Sequence, residues 1–218
     1  MFLGHYAVSF AAKRAAPETS LGTLFFASVF IDLLWPLLLL AGIERARIDG
    51  NIAGLSPLIF EHYPVSHSLL AVAGWALVLG AACFWAFRDQ RGALVVGALV
   101  VSHWLLDAIV HRPDLLLVPG GSIAVGAALW NVPVVSALLE AALFAGGLAL
   151  YLRTVRGQVR RWPLLALCAL LLVIFVADIV GPPPPSINAV ALAGLAQWLL
   201  VAAGFWVDRP LAPCAVPA

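Results

Sequence analysis

The chain has 218 residues, 63% of them hydrophobic and 11% charged, with a formal net charge of +1. Its mean hydropathy is +1.03. This composition excludes an ordinary soluble domain, the continuity of the apolar runs argues against a β-barrel, and the near-neutral charge offers no field that would select nucleic acid as a partner.

Taken in chain order, the first element is MFLGHYAVSFAAKR. Its charges follow the apolar stretch, so it is not expected to act as a secretory signal. About twelve residues cannot cross a bilayer, which needs about twenty. This segment is therefore expected to dip in partway or to lie at the interface, carrying His5 with it. Six spans follow, at about 21–43, 67–87, 92–110, 132–152, 162–180 and 187–207. The breaks between them include RDQR at 88–91, a Gly- and Pro-containing loop at 111–131, RTVRGQVRR at 153–161 and GPPPPS at 181–186. Proline cannot continue a helix, so GPPPPS makes a stiff turn before the last span. The expected fold is all-α: a polytopic transmembrane helical bundle of about six spans plus a short half-inserted N-terminal helix. It forms one integral membrane domain, with a metal-site half at about 1–152 and a two-helix hairpin at about 162–207.

The positive-inside rule orients it. With the N-terminus in the cytoplasm, Lys13, Arg14, Arg88, Arg91, Arg153, Arg156, Arg160, Arg161 and Arg209 fall inside, whereas Arg45, Arg47 and Arg112 fall outside. Both termini are then cytoplasmic, as in a multi-pass protein of a bacterial inner membrane. The eight tryptophans, Trp35 and Trp104 among them, mostly fall near span ends and read as interface anchors. Cys83, Cys168 and Cys214 match no metal or disulfide spacing and read as small apolar fillers.

Against this background the ionisable residues inside the spans stand out. They are Asp32 in FASVFIDLLWP, His103 and Asp107 in SHWLLDA, Glu140 in SALLEAALF and Asp178 in FVADIVG. Each costs at least about 2.5 kcal/mol to insert. No Lys or Arg lies within a span to pair with them. The carboxylates are therefore expected to be protonated, bonded to neutral polar groups, or compensated by a bound cation. At 1.5 Å of rise per residue these groups and His5 share one slab, about 12–25 Å from the basic end.

Residues four apart share a helix face, so His103 and Asp107 project together, with His111 one turn on. His67 opens the second span and is placed to face inward. Imidazole nitrogen with carboxylate oxygen suits Zn, Mn or Fe. Each residue alone also has an ordinary structural explanation. A single intramembrane His is often a hydrogen-bonded core residue, Asp32 could stabilise a kink beside Pro36, His62 and His111 could be interfacial, and Asp178 could be a protonated interhelical hydrogen-bonder. The combination of His5, Asp32, His67, His103 and Asp107 points to a divalent metal site, with His111 as a further candidate ligand.

The order His5, Asp32, VSHSLL at 65–70, then HWLLD at 103–107 resembles the bacterial membrane-bound metal-dependent hydrolases of unknown substrate. That family is in turn similar to the zinc-dependent phospholipase C and P1 nuclease group. The resemblance covers about residues 1–111 and lies in order and spacing. It implies that Asp32, His67, His103 and Asp107 hold one metal, most simply zinc. A second would involve His5 and Asp107, with Asp107 bridging. The phospholipase pattern continues with a His-x-x-x-Glu pair. Here Ser136 stands where the histidine would be, which puts a third metal in doubt and leaves Glu140 as ligand or base. The expected activity is hydrolysis of a phosphoester in a membrane lipid or lipid-linked substrate, with Asp32 or Glu140 taking the proton of water. The alternative is a proton- or ion-coupled transporter or channel, since intramembrane acids and histidines also build ion paths.

Overall fold

The computed structural model describes residues 1–52, 54–156 and 159–208. Arg209 and Cys214 lie outside the described residues. Six helical segments are long and apolar enough to cross a membrane: Leu21–Leu40, Leu69–Phe87, Gln90–Val110, Pro133–Val155, Arg161–Val180 and Ile187–Val207. The expected all-α membrane bundle is what forms, with span ends shifted by no more than three residues. The first five are α2 to α6. The last is interrupted near Ala196, giving α7 (Ile187–Leu195) and α8 (Gln197–Val207).

Serine side chains start three of these helices by accepting a backbone N–H that the helix cannot satisfy itself: Ser20 from Thr23, Ser68 from Ala71 and Ser186 from Ala189. Small residues set the closest crossings, as is common where packing rather than water exclusion drives association. A Cβ on Gly80 would lie 3.2 Å from the Ala93 carbonyl, and one on Gly97 3.2 Å from the Ala76 carbonyl, so α3 and α4 run in close contact.

The expected short N-terminal helix forms as α1 (Leu3–Ala12), inserted into the bundle and enclosed by the longer helices. Leu3, Tyr6 and Phe10 are fully buried, and α1 packs chiefly against α5, with α2 and α4 closing around it. Its ten residues are too few to span a membrane, but a short apolar helix can be enclosed by longer ones. Gly147 of α5 permits that, since a Cβ there would overlap the Ala7 carbonyl. The far end of α1 is clasped: Lys13 Nζ lies 2.5 Å from Asp208 Oδ2, which also accepts from Leu21 N at 2.8 Å. Tyr151 donates to Asp208 Oδ1 at 3.2 Å. Lys13, counted from sequence among the cytoplasmic-side cations, is buried and joins α1, α2, α5 and α8.

Two small antiparallel sheets cap the opposite end. β1 (Arg45–Ile48) pairs with β2 (Leu58–His62) between α2 and α3, and β3 (Leu115–Leu116) pairs with β4 (Ala124–Val125) between α4 and α5. This hairpin end lies next to the polar residues of the interior.

Candidate metal centre

Four segments bring the candidate ligands together. α1 supplies His5, α2 supplies Asp32, α4 supplies His103 and Asp107, and the turn leading into α3 supplies His67. On α2, the missing N–H of Pro36 leaves the carbonyl of Asp32 without its helical partner. Gly194 of α7 lets Pro36 approach closely at the same level, since a Cβ there would lie 2.5 Å from Pro36 Cγ. His67 reaches inward because its N–H bonds the Tyr63 carbonyl at 3.1 Å in a tight turn, and its own carbonyl accepts from Trp104 Nε1 at 2.8 Å. Trp104 and Trp35 are therefore buried parts of the site, not interface anchors. Trp35 sets its ring edge-on to His67, with centroids 6.2 Å apart.

The donor atoms face one another at ligand-like distances. His103 Nε2 lies 3.0 Å from Asp107 Oδ2 and 3.5 Å from Asp32 Oδ1. His67 Nε2 lies 3.9 Å from each of the same two oxygens. Four donors around one zinc, with bonds of about 2.0–2.1 Å, stand about 3.4 Å apart. On the other side of the same carboxylate, His5 Nε2 lies 3.2 Å from Asp107 Oδ1. The His5 and His103 rings stack, with centroids 3.9 Å apart and planes 7° from parallel. Asp107 thus presents one oxygen to each of two donor groups: His5, His103 and Asp107 form one set, and Asp32, His67 and His103 the other, with the donor atoms of each set within 4.8 Å of one another.

Hydrogen bonding fixes which ring nitrogens carry lone pairs. His103 Nδ1 is 2.8 Å from the Ser28 carbonyl, which can only accept, so Nδ1 holds a hydrogen and Nε2, which faces Asp107 and Asp32, is the ring atom available to a metal. Among the described residues, His103 Nε2 and both ring nitrogens of His5 are buried without a hydrogen-bond partner. Buried polar atoms are rarely left so. A cation beside Asp107 would satisfy the two Nε2 atoms, which is why these residues fit a divalent metal.

One cation is contributed by the chain itself. The Met1 ammonium lies 2.6 Å from Asp107 Oδ1. The expectation that no protein charge pairs with these carboxylates therefore holds for Lys and Arg side chains but not for the backbone. Glu140 is engaged nearby, where its Oε2 accepts from Phe2 N at 2.9 Å and Gly4 N at 3.4 Å and caps the start of α1. His111 belongs to neither donor set. Its Nδ1 lies 3.0 Å from Asp114 Oδ1, which also accepts from Tyr63 at 2.7 Å, and its ring centroid is 6.3 Å from that of His67. Ser136 is buried on α5 with no partner for its hydroxyl among the described residues. His62 and Asp178 are exposed and stand apart from both sets.

Burial holds the His5 imidazolium down, to a pKa of about 3, with the neighbouring His103 adding to the effect. Burial likewise pushes His67 well below the usual imidazole range, again with His103 contributing. Both are thus neutral, ligand-ready rings at neutral pH. The sign follows from linkage. A histidine depressed in the fold binds fewer protons there than in the unfolded chain, so stability rises with pH and is lost as pH falls below about 6.5. Metal-free protein is expected to melt several degrees lower at pH 5 than at pH 7.5, and this acid sensitivity should shrink in His67→Gln.

Residues that the sequence reading passed over also shape the site. Glu44, Ser66, Tyr63 and Asp114 all sit near span ends, where polar residues are ordinary. The only available signal was the His-x-x-Asp spacing of His111 and Asp114, which puts both on one side of a turn. Compared with known protein families, curated proteins and solved structures, the chain matches none.

Proposed function

We propose that the chain is a membrane-embedded hydrolase that uses one or two divalent metal ions, most simply zinc, to cleave a phosphoester of a phospholipid-like or lipid-linked substrate. The observation that carries this reading is the convergence of His5, Asp32, His67, His103 and Asp107 from four separate segments, with Nε2 of His103 turned on two carboxyl groups. A metal held there would lower the pKa of a bound water toward about 7 and offset the charge that builds on a phosphoryl oxygen.

The remaining roles belong to the chain. Asp32 is 27% exposed, whereas His5, His67, His103 and Asp107 are exposed by 3% or less. Substrate would therefore approach past Asp32, and the second oxygen of Asp32 would take a proton from water. Asp107 would hold the two donor groups in register, and the stacked His5 and His103 rings would keep their Nε2 atoms parallel. A catalytic site is favoured over a conduit because the interior away from the hairpin end is sealed by Phe10, Phe25, Phe144, Tyr151 and Leu171. Arg88, Arg91, Arg153, Arg160 and Arg161 gather at the end away from the hairpins, which supports a cytoplasmic location for that end and an outward-facing hairpin end.

The test is elemental analysis of detergent-purified protein, followed by turnover of bis-p-nitrophenyl phosphate and of a fluorescent phospholipid. At least about one transition metal per chain, with turnover lost to chelator and restored by zinc, is the expected result. A metal-loaded protein that cleaves neither substrate would turn the reading toward metal transport or sensing. A metal-free protein would end it.

A further inference from the structure

We infer that Glu44, acting through Ser66, is a positioning residue of the metal centre that fixes the tautomer of His67. This rests on the metal reading above. Glu44 lies between α2 and β1 and is only 1% exposed. Its Oε1 accepts from Val65 N at 2.8 Å and Ser66 N at 2.9 Å, and its Oε2 accepts from Ser66 Oγ at 2.6 Å. Ser66 Oγ lies 2.7 Å from His67 Nδ1.

The direction of these bonds is forced. A carboxylate only accepts, so the Ser66 hydroxyl gives its one proton to Glu44. Toward His67 it can then only accept, and His67 Nδ1 must carry the hydrogen. The lone pair is left on Nε2, the atom that faces Asp32 and Asp107. Glu44 thus does for His67 what the Ser28 carbonyl does for His103. Outer partners of this kind orient metal-binding imidazoles and raise their basicity.

A purely structural role is the competing account, since the two bonds to Oε1 also pin the turn at 63–67. Glu44→Gln separates the two. Two backbone N–H groups point at the Oε1 position, so the amide oxygen must stay there and the amide nitrogen must face Ser66. The relay then runs backwards: the amide donates to Ser66, Ser66 donates to His67 Nδ1, and the proton moves to Nε2. The turn stays pinned while the ligand atom is blocked. Ser66→Ala removes the relay and leaves both Oε1 bonds, whereas Ser66→Thr keeps the hydroxyl.

The experiment is cobalt(II) titration of chelator-treated protein, read by its visible absorption, together with ring ¹⁵N NMR of His67 and apo-protein melting. Glu44→Gln and Ser66→Ala should bind cobalt about 10–100-fold more weakly. Ser66→Thr should match the native protein, and all three should melt near it. In Glu44→Gln the His67 Nε2 signal should change from unprotonated to protonated. Unchanged cobalt affinity and tautomer in Glu44→Gln and Ser66→Ala would overturn the inference and leave the metal centre standing. Absence of cobalt binding in the native protein would instead overturn the metal reading, and this inference with it. Should Glu44→Gln fail to fold, Ser66→Ala against Ser66→Thr decides alone.

Discussion

Asp107→Ala is expected to lower bound metal from at least about one per chain to below about 0.1, and to reduce phosphodiester turnover by at least about 10³-fold. The size of the effect follows from how fully both oxygens are used. Oδ1 meets His5 at 3.2 Å and the Met1 ammonium at 2.6 Å, while Oδ2 meets His103 at 3.0 Å and His67 at 3.9 Å. His103 is shared by both donor sets through one ring nitrogen, whereas Asp107 serves them with two separate oxygens. Removal also leaves the Met1 ammonium buried without its anion, and breaking a buried pair this way costs about 3–5 kcal/mol. The variant should therefore melt lower even after metal is stripped from both proteins. His111→Ala is the control. His111 is as deeply buried, but its Nδ1 serves Asp114 and it belongs to neither donor set. Metal content should survive that change. Inductively coupled plasma mass spectrometry on both variants, with melting curves before and after chelation, checks the prediction.

The spans were legible because each is a long apolar run, and hydropathy is summed over about twenty residues. The placement of α1 was not. Length rules out a crossing by LGHYAVSFAA but says nothing about whether it meets lipid or other helices, and only the fit of Ala7 against Gly147 decides it. The site divides in the same way. Asp32, His103 and Asp107 announce themselves because a charge in the middle of a span is expensive. Glu44 and Asp114 sit just beyond the ends of α2 and α4, where a carboxylate is cheap if solvated. The burial of Glu44 and the partial burial of Asp114 depend on the hairpin end folding over them, a tertiary event with no local pattern. Trp35 and Trp104 misled for a related reason: position along a span gives depth, while lipid-facing or interior-facing is set by rotation about the helix axis.

Asp32 and Glu140 were the two carboxylates expected to handle the proton, and their surroundings set them apart. Glu140 Oε2 is occupied by Phe2 N and Gly4 N at the start of α1, a bond that an amide oxygen can also accept. Glu140→Gln should therefore keep α1 docked and change turnover by less than about 10-fold. Asp32 has one oxygen among the candidate ligand atoms and the greatest exposure of the set. Asp32→Asn keeps the volume and a neutral ligand oxygen but removes the charge and the proton acceptor. Loss of a general base costs about 10²–10⁴-fold, so kcat should fall by about 10³-fold while at least half the metal is retained when zinc is supplied in excess. The pairing discriminates between two distinct sites for the base. If Glu140→Gln proves the more damaging variant with metal and melting temperature intact, water is activated on the Met1 side of Asp107, beside His5. If Asp32→Asn is the more damaging, it is activated on the side shared by His67 and His103, where Asp32 is partly exposed.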